Sequence, residues 1–171
     1  MSLDELYETA LQNPKSAYIS LLNYQIAYSH LYGKQVDETK GIAALQAVFN
    51  DAELPLALAH RCRNILINLA TNNRKEFVRY SANVALAQLY LKDAKAEPIK
   101  FCKLALLRKA LQCLEAATNV DYSAGHINEL KASIYRALAD LYKSFGITYK
   151  QEVARYYQRA SDAGDKKRSP I

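Results

Sequence analysis

The most reactive side chains of this sequence are three histidines, His30, His60 and His126, and three cysteines, Cys62, Cys102 and Cys113. The histidines lie far apart, and none belongs to an HExxH run. His126 and Glu129 have the offset that puts two metal ligands on one helix face, but the sequence offers no second such pair to complete a shell. The cysteines form no CxxC pair and sit in apolar helical surroundings, where thiols serve as small core groups and a reduced state is expected. Cys62 stands between Arg61 and Arg63, an electropositive setting that would lower a thiol pKa, yet no general base is in reach along the chain. There is no Gly-rich phosphate loop and no GxSxG. The expectation is no catalytic residue, no metal and no cofactor: a binding protein rather than an enzyme.

Binding residues are easier to nominate. Tyr24, Tyr28 and Tyr32 recur every fourth position within an uncharged stretch, residues 16–33. They form one face of a helix, either packed against neighbours with hydroxyls at the rim or exposed as aromatic anchors. Arg61, Arg63, Arg74, Lys75 and Arg79 gather around one predicted turn, with Lys75, Arg79 and Asn83 on a shared helical stripe. This is either a solvated polar face or a basic patch for an acidic peptide or phosphates. Only Phe77 and Tyr80 are interleaved there, thin for a single-strand binder. Arg136, Asp140 and Lys143 lie opposite Leu138 and Tyr142 on a later helix, and Lys166-Lys167-Arg168 makes a short basic tail.

Charge is unevenly spread. The net charge is +6, but through His60 three basic residues face seven acidic ones, and from Arg61 onward twenty face ten. Such asymmetry favours acidic partners and permits head-to-tail self-association. Residues 16–33 are too polar to span a bilayer. Asp4, Glu5 and Glu8 replace the basic leader of a secretion signal, so a cytoplasmic location is expected.

The elements that must position these residues are helices. Half the residues are hydrophobic, and only 5 glycines and 4 prolines are present, too few for the turns of a β-sandwich. Apolar spacing and helix punctuation predict about eight helices, near residues 2–12, 14–32, 39–50, 55–71, 74–92, 98–118, 126–145 and 149–163. Ser2 with Glu5 forms a capping box, Pro14, Pro55 and Pro98 open helices, and Gly33, Gly146 and Gly164 close them. Segments 92–97 and 119–125 read as loops. In the fifth helix Val78, Ala82, Ala85 and Leu89 form one apolar stripe and Phe77, Val84 and Leu91 a second, so both sides should be covered.

One motif recurs. Ala85-Leu86-Ala87-Gln88-Leu89-Tyr90 matches Ala137-Leu138-Ala139-Asp140-Leu141-Tyr142 at five of six positions, and residues 27–32 keep its Ala, Leu and Tyr. Tyr135, Leu138, Ala139 and Tyr142 together resemble the first helix of a tetratricopeptide repeat. Gly146-Ile147, Val153, Tyr156, Tyr157, Ala160, Ser161 and Gly164 then resemble the Sel-like branch of that family, with Val153 where the family carries alanine. The resemblance is best over residues 135–164 and weakens toward the N-terminus.

The sequence reads as all-α, one domain over residues 1–164 with a flexible basic tail, 165–171; the resemblance implies antiparallel hairpins stacked as a short right-handed α-solenoid. It also implies an adaptor or scaffold gripping a protein or peptide in a helical groove. Arg79, Asn83, Arg136 and Asp140 are the expected polar contacts, with Tyr24 and Tyr28 as anchors. Two other roles remain open: nucleic-acid binding through the basic C-terminal two-thirds, and, by the same resemblance, a dedicated chaperone or assembly factor of a secretion or pilus system.

Overall fold

The uncharged stretch forms α1 (Ala17–Tyr32) in a computed structural model of the chain, which describes residues 12, 17–51, 54–118 and 124–165. After α1 come α2 (Glu38–Val48), α3 (Leu56–Asn72), α4 (Glu76–Ala96), α5 (Lys100–Thr118) and α6 (Ala124–Ser144). A 3-10 turn over Ile147–Tyr149 then leads into α7 (Lys150–Asp165). Among the described residues the fold is all-helical, with seven α-helices against the eight expected and no strand. The expected first helix (save Gln12), the Asn13-Pro14 break, residues 119–123 and the tail from Lys166 lie outside the described residues.

The chain divides into two compact units, residues 1–85 and 86–171, with the division inside α4.

In the first unit, α1 and α2 form a hairpin. Gly33 donates its amide to the Ser29 carbonyl at 2.9 Å, and Asp37 donates to His30 at 2.8 Å, which reverses the chain. Asp37 then caps α2 by accepting the Lys40 amide at 3.1 Å. Leu21, Tyr24, Ala27 and Leu31 are buried on α1, as are Ile42, Leu45 and Val48 on α2. Ser20, also buried, donates its hydroxyl to Asp51 beyond the far end of α2. Gly41 makes the close approach possible, because a Cβ there would lie 2.6 Å from Leu31 Cγ and Cδ2. Gly41→Val is therefore expected to overpack the hairpin and cost about 1–3 kcal/mol. A urea melt checks this, and an unchanged midpoint would contradict so tight a crossing.

In the second unit, Leu107, Ala110, Leu114 and Ala117 give α5 a buried stripe at helical spacing. Gly146 adopts a φ of 109°, open to glycine at little cost, and so ends α6 as its position in the sequence suggests. The α6–α7 hairpin is joined by an aromatic seam. Tyr142 stacks on Tyr156 at 5.6 Å between ring centroids, Tyr156 on Tyr135 at 6.2 Å, and Arg159 lies over both Tyr135 and Tyr156. The buried Tyr142 hydroxyl accepts a hydrogen bond from Arg108 of α5 at 3.0 Å.

Three boundary expectations are corrected. Residues 93–96, expected in a loop, extend α4, because Asp-Ala-Lys-Ala carries no helix breaker and Ala94 is buried. Ala124 and Gly125, expected in a loop, begin α6. Gly164 does not close α7 but lies within it. On α4 both apolar stripes are buried except at Phe77, which stands exposed.

Candidate functional site

The second unit contains a cavity of about 620 Å³, lined by the C-terminal part of α4, the start of α5 and one face of α6. Its floor is apolar, with Ala94, Leu107 and Leu141 buried beneath the opening. Lys95, Lys100, Lys103 and Arg136 supply four cations to the lining, against the two carboxylates Glu97 and Asp140.

Five of these six groups stand on helices, and Glu97 stands on the short link between α4 and α5. Glu97 accepts the Ile99 amide at 3.0 Å, which fixes the chain just before α5. Lys100, one residue into α5, donates its ammonium to the Ser144 carbonyl at 3.1 Å. That carbonyl belongs to the C-terminal turn of α6, where the helix dipole favours a cation. Lys103 is one turn further on, half-buried at the groove wall. Arg136 and Asp140 are four residues apart on α6, both exposed and on the same face. The Arg136 guanidinium lies against Gly164 of α7, where an added Cβ would sit 3.9 Å from it. The Tyr157 hydroxyl donates to Asp140, and that bond pushes the tyrosine pKa above its ordinary value.

Ser133 and Ser144 also line the groove, but both hydroxyls donate to carbonyls of their own helix, Glu129 and Leu141. Neither histidine nor cysteine contributes to the lining. The arrangement suits recognition of an anionic, partly apolar ligand. Cations orient it while the floor takes up apolar surface.

The expected site residues divide between the two units. Arg136 and Asp140 line the groove of the second, whereas Tyr24, Tyr28, Arg79 and Asn83 belong to the first. Tyr24 is 7% exposed and part of the core, while Tyr28 is 50% exposed. The three rings form a ladder all the same, with centroids 6.2 Å apart from Tyr24 to Tyr28 and 4.9 Å from Tyr28 to Tyr32. Arg79 turns its guanidinium onto the Asn73 and Arg74 carbonyls at 2.7 and 3.2 Å, at the end of α3. Asn83 donates to the Arg79 carbonyl at 3.0 Å.

Within the basic patch, Lys75 pairs with Glu38 at 3.0 Å. A backbone hydrogen bond first, and then Lys75, hold the Glu38 carboxyl below its usual range. Arg61 and Arg74 are exposed and Arg63 is half-buried. Lys95, Lys100 and Lys103 join the expected Arg136 and Asp140 only in the folded chain. The available signal was the pair Lys100 and Lys103, one turn apart just after Pro98.

The flanking arginines do not activate Cys62. Burial pushes its thiol up to about 12, and that of Cys113 to about 11. Cys102 is exposed. A maleimide at mildly alkaline pH is expected to modify Cys102 alone in the folded protein and all three cysteines after denaturation, as read by mass spectrometry. Rapid labelling of Cys62 in the native state would contradict its burial.

Among the described residues no three His, Cys, Asp or Glu side chains come together as a metal site would require, and no helix is long and apolar enough to cross a membrane. The described residues are all-helical, with a cation-rimmed groove in the second unit. Comparison with protein-family models, with curated proteins and with solved structures gives no match.

Proposed function

We propose that the chain is a non-catalytic adaptor or scaffold that holds an acidic peptide segment of a protein partner in the groove of the second unit. Its hairpins would stack as a short right-handed α-solenoid of tetratricopeptide-like, Sel-like repeats. The groove carries the reading: an apolar floor edged by Lys95, Lys100, Lys103 and Arg136. A peptide would bury one or two apolar side chains on that floor, while its carboxylates meet the cations and set direction.

Matched burial supports the repeat assignment. Leu86, Ala87, Leu89 and Tyr90 are buried on α4, and Leu138, Ala139, Leu141 and Tyr142 are buried at the same motif positions on α6. The three unpaired cysteines fit a cytoplasmic setting.

Fluorescence anisotropy with a labelled peptide of alternating acidic and aliphatic residues tests the proposal. Saturable binding that weakens with salt is expected, with none for the same peptide carrying lysine in place of its acids. Single-stranded DNA is the competitor. Displacement by DNA at matched concentration would replace the peptide reading with a nucleic-acid one.

A further inference from the structure

Beside the groove, the second unit has an end where apolar side chains protrude rather than pack. Ile147, on the 3-10 turn that follows Gly146, is 92% exposed, and Phe101 is 76% exposed. Ile99 and Tyr149 are exposed as well. These residues are not scattered. Phe101 stacks on Phe145 with centroids 5.5 Å apart, and Phe145 meets Tyr149 at 5.7 Å. Ile147 stands midway between Phe145 and Tyr149 in the chain. Lysines flank the cluster. The two segments that build it, residues 97–103 and 143–150, carry Lys100, Lys103, Lys143 and Lys150 against the single carboxylate of Glu97. That carboxylate is turned onto the Ile99 amide, and the Lys100 ammonium lies 5.7 Å from the Phe145 ring centroid.

We propose that this end of the second unit, with Ile147 and Phe101 at its tip, docks on the surface of an anionic lipid bilayer. The shape of the cluster favours that occupant. Its apolar groups stand out on a turn and an early helical position, and the cavity that would receive a protein's side chain lies to the side, with neither Ile147 nor Phe101 in its lining. Protruding aliphatic and aromatic groups suit the acyl–headgroup boundary, where tyrosine is at home. The lysines around them match the charge of anionic headgroups. With no helix able to cross a membrane among the described residues, the contact is peripheral. Lys100 and Lys103 border the peptide groove as well, whereas Ile147, Phe101, Lys143 and Lys150 do not line it and so separate the two surfaces.

The full chain contains no tryptophan, so Ile147→Trp reports from the tip alone. Its emission is expected to shift to the blue with vesicles of phosphatidylcholine and phosphatidylglycerol in equal parts, and to stay unchanged with phosphatidylcholine alone. In co-sedimentation, Ile147→Glu combined with Phe101→Glu should lower partitioning at least about tenfold, and Lys143→Glu with Lys150→Glu by a similar factor. Far-UV circular dichroism should be unaltered, because all four positions are exposed.

Four results would overturn the proposal: no sedimentation of the wild-type chain with anionic vesicles at low salt, sedimentation without the emission shift, sedimentation unaffected by the tip variants, and concentration-dependent dimerisation abolished by Phe101→Glu. The second and third would assign lipid binding to charge elsewhere, such as Lys166-Lys167-Arg168, and the fourth would assign the tip to a second copy of the chain.

Discussion

Replacing Lys103 and Arg136 together with glutamate is expected to lower affinity for an acidic peptide by about 30- to 900-fold. Both line the groove of the second unit, Arg136 exposed on α6 and Lys103 half-buried on α5. A solvent-accessible ion pair contributes roughly 0.5–1 kcal/mol, and reversing one charge replaces attraction with repulsion, about doubling the change. Two reversals therefore cost about 2–4 kcal/mol of binding free energy. Neither side chain is among the fully buried groups that hold the core, so helicity should persist. Anisotropy reads the affinity and circular dichroism the fold. Affinity within about twofold of the wild type would remove the groove from the account.

Arg79→Glu should behave differently. Its guanidinium closes the α3–α4 turn through the Asn73 and Arg74 carbonyls, so the variant should lose about 1–3 kcal/mol of stability and leave peptide affinity unchanged. A thermal melt beside the anisotropy separates the two effects.

The largest stability effect is expected at Leu138. It is 1% exposed in the middle of α6, and Leu138→Ala would remove buried methyl groups and leave a cavity. Such truncations cost about 2–5 kcal/mol, a large fraction of what holds a small domain together. Leu86, at the same position of the recurring motif on α4, is 2% exposed. If the two motif copies pack alike, Leu86→Ala should fall in the same range. A urea midpoint shift equivalent to less than about 1 kcal/mol at either site would contradict the burial.

Helix boundaries were legible where a residue acts through its own backbone. Gly146 ends α6 at the positive φ of a glycine stop, while Gly33 and Asn73 follow the last residues of α1 and α3 without it. Pro55 stands one residue before α3 with extended backbone rather than inside its first turn. Gly164 is an exception, lying within α7, and polar residues are a weak sign of a loop. Residues 92–97 look polar, yet burial of Ala94 keeps α4 helical to Ala96.

The candidate site was half legible. Arg136 and Asp140 share a face because of their spacing, and the groove uses that face. Lys95, Lys100 and Lys103 reach the same groove from α4 and α5, and only tertiary packing brings them there. Arg79 and Asn83 share a stripe as periodicity says, but periodicity does not reveal that both side chains are committed to backbone carbonyls. Cys62 shows the same limit, since burial outweighs the two flanking arginines that would lower its pKa.

Recognition of an acidic peptide, as proposed, would take place along the lining of the groove in the second unit. Nitrogen-15 NMR titration with such a peptide tests it most directly, because each backbone amide reports its own surroundings. Shifts are expected to concentrate at Lys95, Lys103, Ser133, Arg136 and Ala137. Shifts confined to Arg61, Arg74 and their neighbours in the first unit, or no shifts at saturating peptide, would contradict it.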